Sequence, residues 1–517
     1  MNYLNTDQPF RLFQDAVNSD IYVDKSLLIH NVSAKIRTGN KYICLTRPRR
    51  FGKSMNAHML GAYYTKGLDS SQLFDDLSIA ETSDYHKHRN CHNVIFMDLS
   101  RMPDICRDYQ DYFAFLLQGI REDLQEAYPE LKNKNYLSVS QMFKDSGDSF
   151  MFIIDEWDSI FYKDFMTEAD KNAYLSFLKN LLKDQPYVEL AYMTGVLPIA
   201  KYSSGSELNM FDEYNFMNDT VYEPYFGFSE QEVHKLCEEH TGSITYEELK
   251  KWYDGYYLSD GGSLFNPRSV AKALMRGVCL NYWTETGPMN EIADYIEHNT
   301  AAVREDIVKM VAGIPVEVDL QGYSAAELQL NTRDEILSAM VVFGFLSYHD
   351  GFLRIPNHEL MEKYQRVLAR DSMGEVKEIV EQSKELLEAT LMSDSDKVAA
   401  ILEEVHDREI PFLQYNDENS LSCVITLCYL YARKDYYMER EARSGKGYCD
   451  YLFIPKKKGK PAIILELKVD STCETALEQI KEKNYIQKAK EHTEEVLLVG
   501  ICYDKDQKKH HCVIEKG

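Results

Sequence analysis

Several features that identify whole classes of protein are missing from this 517-residue chain. Its 11 cysteines are scattered and include no CxxC pair, which excludes a disulfide framework and favours a reducing compartment. No run of about 18 apolar residues occurs, so no membrane-spanning helix is expected. The polar start, Met1 to Phe10, lacks the apolar core that a secretory signal needs. We therefore expect a cytoplasmic protein without a membrane partner.

A strongly basic balance, typical of proteins that coat duplex nucleic acid, is also missing, because the formal net charge is −25. The charge is uneven along the chain. From Tyr431 to Gly517 there are 18 Lys and Arg against 15 Asp and Glu, a net of +3, so the rest carries −28. Any contact with nucleic acid is therefore expected in this C-terminal part or in local basic patches.

What the chain does contain, up to about residue 225, is an alternation of short apolar runs and amphipathic stretches. The apolar runs predict four buried strands at Lys41–Thr46, Asn93–Leu99, Ser149–Ile154 and Val188–Thr194. Helices are predicted between them. This alternation is typical of an α/β domain with a mainly parallel sheet, which we place at residues 1–225.

Residues 226–372 are predicted to form a mostly helical middle domain. A helix at Glu335–Phe343 precedes two short strands, Phe345–Tyr348 and Phe352–Ile355, around an Asp-Gly turn. A helix followed by a hairpin fits a winged-helix-like element, and it fits a small helical subdomain equally well. Residues 373–410 are charged and are predicted to be a helical linker.

Residues 411–517 are predicted to form a C-terminal α/β domain. An apolar helix at Ser420–Tyr431 opens it, and a helix at Thr475–Lys490 lies further along. The first two strands, Tyr448–Ile454 and Ala462–Leu467, lie between these helices, and a strand at Glu495–Cys502 follows them.

The segment RPRRFGKS at residues 47–54 contains the second half of a phosphate-binding loop. Such a loop reads GxxxxGK[ST] between a strand and a helix. Gly52 would let the backbone approach phosphate oxygens, Lys53 would neutralise the β- and γ-phosphates, and the Ser54 hydroxyl would bind Mg²⁺. Arg47 stands where the first glycine is usual. A helix start with a chance Gly-Lys-Ser fits the same residues.

A second signal is the apolar strand that ends in Asp155 and Glu156, the form of a Walker B element. Asp155 would hold Mg²⁺, and Glu156 would orient the attacking water. Two carboxylates that cap a strand are common, but these follow the loop by roughly 100 residues in the right order, which predicts a P-loop NTPase. Thr194, at the end of the fourth strand, is placed to sense the γ-phosphate, although an ordinary turn fits it as well.

Charged residues on two neighbouring predicted strands form another candidate site. Asp450 lies near the start of one strand, whereas Glu466 and Lys468 lie on the next strand and share one of its faces. Asp450 and Glu466 would bind Mg²⁺, which favours oxygen ligands. Lys468 would position a metal-activated water or stabilise developing charge. This arrangement suits hydrolysis of a phosphodiester bond.

Three further residues are candidates for the same site. Glu418, just before the apolar helix, would add a carboxylate to the metal ligands. Gln479 and Tyr485, on the helix that follows the two strands, are expected to line the site. The spacing D-x(15)-E-x-K is permissive, and a hairpin with solvated charges fits it too.

Taken together, the motifs closely resemble the AAA-ATPase-like family of bacterial proteins. They are YVDK, TRPRRFGKS, IIDEWD, TGV, WYDGYY, FNP and IPN. The resemblance implies ATP as the nucleotide and makes Arg47 a usual member of the loop, so we count Arg47, Arg49 and Arg50 among the nucleotide-binding residues. Family members commonly carry a C-terminal PD-(D/E)XK nuclease-like domain with a restriction-endonuclease-like fold. The segments that resemble this domain are GKGYCDYLFIP, IILELKV and ALEQI.

The presence of both candidate sites in one chain predicts an ATP-binding, Mg²⁺-dependent nuclease that is regulated by ATP. Its partner would be nucleic acid, DNA in preference to RNA. Nucleotide bound at Lys53, Ser54 and Asp155 would change the middle domain and so gate the metal site. The alternative is a nucleotide-switched binding or scaffold protein whose nuclease-like domain does not cut. No oligomeric state follows from the sequence.

Overall fold

The computed structural model describes residues 2–199, 207–216, 219–240, 242, 244–283, 296, 303–318, 332–368, 370, 375–407, 418–444, 447–457, 459–482, 485–490, 492–507 and 509–517. The chain forms two compact units. The first comprises Met1–Gly287, Asp319–His349 and Pro356–Glu359, and the second comprises Pro288–Val318, Asp350–Ile355 and Leu360–Gly517. No helix of the described residues combines the length and apolar character needed to cross a membrane. The domain boundaries at residues 225, 372 and 410 stay a prediction.

A parallel sheet lies at the centre of the first unit. Its strands are β1 Tyr42–Thr46, β2 Asn93–Asp98, β3 Phe150–Asp155, β4 Val188–Gly195 and β5 Asp212–Tyr214. They are arranged in the order β2-β3-β4-β1-β5, and the strand pairs are parallel. The α/β class and the four predicted strands are confirmed. Strand β5 was not predicted, because its residues Asp-Glu-Tyr carry no apolar pattern.

Alternate residues of the strands face two separate apolar clusters. On β3, Phe152 and Ile154 belong to one cluster, whereas Met151 and Ile153 belong to the other. Helices supply many of the other side chains in both clusters, so the sheet is covered on its two faces. Such a strand is apolar throughout, because neither face meets water. The helices of this part are α1 Gln8–Val17, α2 Leu27–Ser33, α3 Lys53–Tyr64, α4 Ser71–Phe74, α5 Tyr85–His88, α6 Tyr109–Ala127, α7 Val139–Asp145 and α8 Glu168–Leu182.

Among its described residues, the middle of the chain contains helices, as predicted, and short strands, two of which were predicted. The elements are β6 Phe228–Ser229, α9 Glu230–Glu239, α10 Tyr246–Tyr253, β7 Tyr256–Tyr257, β8 Ser263–Phe265, α11 Pro267–Arg276, α12 Val303–Val311, β9 Val316–Glu317, α13 Arg333–Val342, β10 Ser347–His349, β11 Phe352–Arg354 and α14 His358–Leu368. Strands β6, β8 and β7 form a small antiparallel sheet in that order. The predicted helix and two short strands correspond to α13, β10 and β11.

Several helices begin where the local sequence supplies a capping box. In each, a Ser or Thr side chain accepts from the amide three residues on, while the acid at that position accepts from the cap's own amide. This satisfies amides that would otherwise lack partners at a helix start. The pairs are Thr167–Asp170, Ser229–Glu232, Thr245–Glu248 and Thr332–Glu335.

The C-terminal part contains the second large sheet. Its elements are α15 Glu375–Leu391, α16 Ser395–Asp407, α17 Glu418–Cys428, β12 Tyr436–Ser444, β13 Gly447–Pro455, β14 Ala462–Val469, α18 Cys473–Glu482, α19 Ile486–Lys490, β15 Val496–Asp504 and β16 Lys509–Lys516. The sheet order is β12-β13-β14-β15-β16, and only β14 and β15 are parallel. The predicted helix at 475–490 is two helices, and strands β12 and β16 were not predicted.

Candidate functional site

The phosphate-binding segment joins the end of β1 to the start of α3. Gly52 is the N-cap of α3 and has a φ of 93°, a left-handed conformation that glycine adopts without strain. Lys53 and Ser54 are therefore the first residues of a helix in the first unit. The amides at such a helix start point outwards, which favours a bound anion.

Lys53 is almost fully buried, and its ammonium group is held by its own loop. Its Nζ donates to the main-chain oxygens of Arg47 at 2.9 Å and Pro48 at 3.0 Å. Burial lowers the pKa of Lys53 to about 8, against the opposing effect of the nearby Glu156 and Asp158 carboxylates. The ammonium group is thus a poorly hydrated cation, and an anion bound in the loop would stabilise its charge.

The carboxylates after β3 are fixed by the end of β4. The Thr194 hydroxyl donates to Oδ1 of the buried Asp155 at 2.5 Å, and it accepts from the Glu156 amide at 3.3 Å. Glu156 has a φ of 50°, in the left-handed region, and burial raises the pKa of its carboxyl group. Asp158 accepts from the amide of Leu197 at 2.8 Å and so ties β3 to the segment after β4. Hydrogen bonds therefore hold the ends of β3 and β4 together.

A cavity of about 480 Å³ opens at this edge of the sheet. That volume lies within the range of small-molecule sites, roughly 300–1,000 Å³. Six of the predicted residues line it, namely Arg49, Arg50, Gly52, Lys53, Ser54 and Glu156. Asp155 and Thr194, which were also predicted, are buried and do not line it. Lys163 and Trp283 also line the cavity. Neither residue was predicted, because neither belongs to a recognisable motif.

Arg47 was predicted as a nucleotide contact, but its side chain does not line this cavity. The buried guanidinium forms an ion pair with Asp219 and donates to the Tyr214 oxygen at 2.9 Å. Its centre also lies 4.9 Å from the ring of Phe226. Burial lowers the pKa of Arg47, while Asp219 opposes that change. Arg47 thus anchors the start of the loop to β5, which explains a large side chain at this position.

In the C-terminal sheet, the predicted carboxylates and lysine come together on the neighbouring strands β13 and β14. The Leu467 amide donates to Asp450 Oδ2 at 2.7 Å, and the Asp450 amide lies 3.4 Å from Glu466 Oε2. The Lys468 ammonium donates to Glu466 Oε1 at 3.3 Å. The expectation that two strands would bring these side chains together is thus matched by the geometry.

Glu466 is the most enclosed member of this group, with 1% of its surface exposed. The pKa of Glu466 is raised to about 7, chiefly by burial and then by the Asp450 carboxylate, while Lys468 opposes the rise. The Gln479 side chain donates to Glu466 Oε1. Asp450 and Glu466 are adjacent carboxylates, and Lys468 pairs with Glu466. The carboxylate oxygen atoms fit a hard divalent cation such as Mg²⁺.

Gln479, Tyr485 and Glu418 were also predicted at this site. Gln479 lies at the site, as expected. Tyr485 was expected to line it, but its ring is fully buried in the apolar cluster that contains Leu452 and Ile464, so it belongs to the core. Glu418 is the first residue of α17, and its side chain lies outside the described residues. Within the described part of the chain, no group of three or more His, Cys, Asp or Glu side chains is placed to hold a metal.

Comparison with known proteins gives two family matches. Residues 11–204 match the family described as predicted AAA-ATPase, and residues 416–512 match the PD-(D/E)XK nuclease superfamily. A curated relative, an uncharacterized protein in the vnfD 5′ region of Azotobacter chroococcum mcd 1, is 23% identical over 94% of this chain and 93% of its own.

Two similar solved structures come from archaea. The Walker-type ATPase PABY2304 of Pyrococcus abyssi is 11% identical, covers 66% of this chain and 94% of its own, and has a TM-score of 0.34. The ORC2 protein of Aeropyrum pernix is 10% identical, covers 68% and 96%, and has a TM-score of 0.32. The two family matches cover the residues of the two sites described above. The chain therefore joins a region that matches the predicted AAA-ATPase family to a C-terminal region that matches the PD-(D/E)XK nuclease superfamily.

Proposed function

We propose that this chain is a metal-dependent nuclease whose activity is controlled by ATP bound in its N-terminal domain. The observation that carries the proposal is the group formed by Asp450, Glu466 and Lys468, which have the chemistry needed for phosphodiester hydrolysis. The cavity beside Lys53 supports the regulatory part. Both sites use residues that the family matches cover.

In the nucleotide cavity, each residue has a separate task. Lys53 and the amides at the start of α3 would bind the β- and γ-phosphates. Ser54 and Asp155 would hold Mg²⁺. Glu156, whose pKa is raised by burial, would accept a hydrogen bond from the attacking water and orient it towards the γ-phosphate.

In the C-terminal site, Asp450 and Glu466 would hold Mg²⁺. A metal bound there would polarise the phosphate and lower the pKa of a water molecule. Lys468 would lose its partner Glu466 to the metal and become free to stabilise the charge that develops on the phosphate. Gln479 would keep Glu466 oriented through its existing hydrogen bond.

The partner that suits this site is nucleic acid, with DNA preferred to RNA. The C-terminal part from Tyr431 onwards carries a net charge of +3, whereas the rest of the chain is strongly acidic. A polyanionic strand would therefore be attracted to the end of the chain that holds the carboxylate pair. The metal would also screen the two carboxylates from the phosphate.

Cleavage assays on the full chain test this proposal. Single- and double-stranded DNA and RNA would be incubated with Mg²⁺ or Mn²⁺, with and without ATP. We expect metal-dependent cleavage by the wild type and its loss in Lys468→Ala. Lys481→Ala is the matched control, because Lys481 lies on α18 and pairs with Glu515 away from the carboxylates. If the wild type binds ATP but cleaves none of the substrates, the scaffold alternative replaces the nuclease.

A further inference from the structure

A second cavity lies in the first unit, at the carboxyl end of the edge strand β2. Its volume is about 340 Å³, within the range of roughly 300–1,000 Å³ that small-molecule sites occupy. Asp98, the last residue of β2, lines it, and so do Arg101 in the loop that follows and several residues of α6. In open α/β sheets, ligands bind outside the carboxyl ends of the strands. The position of this cavity therefore suits a ligand.

The turn after β2 separates this cavity from the nucleotide cavity. Ser100 lines the nucleotide cavity, whereas Asp98 and Arg101 line the second one. The Ser100 hydroxyl donates to Asp98 Oδ1 at 2.5 Å, which fixes the turn between them. Among the described residues, none lines both cavities. A ligand of the second cavity would thus be distinct from the nucleotide.

A buried carboxylate holds one wall of the second cavity in place. Asp123, on α6, accepts from the amides of Asn2 at 2.8 Å and Tyr3 at 2.6 Å. The main-chain oxygen of Tyr3 accepts in turn from the Phe96 amide of β2 at 3.0 Å. The Tyr3 ring also packs closely on α6, because a Cβ atom at Gly119 would lie 2.6 Å from it. The wall is therefore formed before any ligand binds, which favours binding.

Several aromatic and aliphatic side chains line the cavity. Phe96 of β2 and Tyr112 and Leu116 of α6 are buried there. Phe115 also lines the cavity, but 42% of its surface is exposed. A ring bound in the cavity would remove apolar surface of Phe115 from water, and pairs of aromatic rings attract each other beyond the effect of the buried area. The lining therefore favours an aromatic group.

A cation and an anion line the same cavity. Arg101 Nε pairs with Asp98 Oδ2 at 2.8 Å, and 63% of the Arg101 side chain is exposed. An exposed pair of this kind contributes little to stability, so it can rearrange around a ligand. A carboxylate accepts, and a guanidinium donates, several hydrogen bonds, so each group can bind a ligand as well as its partner. Together they suit a ligand that carries an anionic and a cationic group close to each other.

We propose that this cavity binds a free α-amino acid with an aromatic side chain. Arg101 would bind the α-carboxylate through its planar set of N–H donors, and Asp98 would accept from the α-ammonium group. The aromatic side chain would lie against Phe96, Tyr112 and Phe115. A residue within a peptide does not carry both charges on one α-carbon, so the charges favour the free amino acid. The inference is independent of the ATP-binding and nuclease functions proposed above.

Calorimetric titration of the full chain tests the proposal, with L-phenylalanine and L-tryptophan as probes. Phenylpropionate lacks the ammonium group of phenylalanine, phenethylamine lacks its carboxylate, and L-alanine lacks its ring. We expect saturable binding of at least one of the two probes. Each of the three analogues should bind at least about tenfold more weakly than phenylalanine, because each loses one of the three contacts.

Replacement of Arg101 tests the assigned carboxylate contact. Arg101→Gln should weaken binding of the aromatic amino acid by at least about tenfold, and Arg101→Lys, which keeps the charge, should recover part of the loss. Arg107→Gln is the matched control, because Arg107 forms a similar exposed pair with Asp111 at 3.3 Å but lies outside the cavity lining. Its affinity should equal that of the wild type. The melting temperatures of all three variants should match that of the wild type, since both arginines are exposed.

Three results would overturn the proposal. The first is a folded wild type that binds neither probe saturably up to about 10 mM. The second is an analogue without one of the charges that binds as tightly as phenylalanine, because the two charged contacts would then be absent. The third is wild-type affinity in a folded Arg101→Gln, which would remove Arg101 as the carboxylate contact.

Discussion

The two candidate sites contain the same kinds of side chain but have opposite charge requirements. In the nucleotide cavity, several cations line the wall together with Glu156, and Lys53 donates to main-chain oxygens. In the C-terminal site, Asp450 adds a second carboxylate beside the pair of Glu466 and Lys468. Burial lowers the pKa of the lysine in the first site, and it raises the pKa of the glutamate in the second. The first site thus favours an anion, and the second favours a cation.

This difference underlies the ligand that we propose for each site. A nucleoside triphosphate would supply negative charge to the cavity, and a divalent metal would supply positive charge to the carboxylates. The sites should therefore fail independently when their central residues are replaced.

The largest expected effect is on cleavage after Lys468→Ala. This lysine is the cation that remains to stabilise charge on the phosphate, and removal of one such group typically costs about 100-fold or more in rate. Cleavage rates at saturating Mg²⁺ measure the effect. Nucleotide affinity should stay at the wild-type value, because the two sites share no residue. A parallel loss of nucleotide affinity would contradict the separation of the sites.

The next effect is on nucleotide affinity after Lys53→Ala. The variant loses the ammonium group that would contact the β- and γ-phosphates, so ATP should bind roughly 10- to 100-fold more weakly. Titration with a fluorescent ATP analogue gives the affinity. Lys66→Ala, just beyond α3, serves as the matched control. An unchanged affinity in Lys53→Ala would remove the assignment of the phosphate-binding loop.

The pH dependence of metal binding distinguishes the sites further. Glu466 must be deprotonated to bind a metal, and its pKa is raised to about 7. The affinity for Mg²⁺ should therefore fall by about tenfold for each pH unit below that value and level off above it. Calorimetry between pH 5.5 and about 8.5 would measure it, with Glu466→Gln as the variant that loses this dependence. A flat profile in the wild type would show that Glu466 is not a ligand.

The raised pKa of Glu466 also affects the stability of the folded chain. The folded state holds the Glu466 proton more tightly than the unfolded chain does. Stability from this group is thus fully present below the ordinary glutamate pKa and is lost as the pH rises through about 7. In thermal unfolding experiments without metal, the melting temperature of Glu466→Gln should fall less than that of the wild type as the pH rises through about 7.

A smaller effect is expected for Thr194→Val. The change keeps the shape of the side chain but removes the hydroxyl that donates to Asp155, so the carboxylate loses a buried partner. The free energy of unfolding should fall by about 1–3 kcal/mol. Thermal denaturation measures this. ATP hydrolysis should fall more than ATP binding, because Thr194 also holds the Glu156 amide.

Much of both sites follows from local sequence. The apolar strands β1, β3 and β4 predict a parallel sheet whose carboxyl ends meet, and that places Lys53 near Glu156. The hairpin of β13 and β14 places Asp450 beside Glu466 because strand residues alternate between faces. These predictions need only the period of a strand and the order of the elements.

Other features depend on contacts between distant parts of the chain. Arg47 has the position of a P-loop residue, but its partner Asp219 lies far along the sequence, and only the folded chain reveals that ion pair. Trp283 lines the cavity but comes from a segment without a nucleotide motif. Tyr485 has the right position for a site residue, yet the break between α18 and α19 accompanies its burial in the core.

The most direct test of the central claim is the rate of Mg²⁺-dependent DNA cleavage with and without ATP, for the wild type and Lys53→Ala. We predict that ATP changes the rate of the wild type. The variant should keep the basal rate and lose the response to ATP. Identical rates with and without ATP in a wild type that binds ATP would contradict the account, because the nucleotide would then have no control over the carboxylate site.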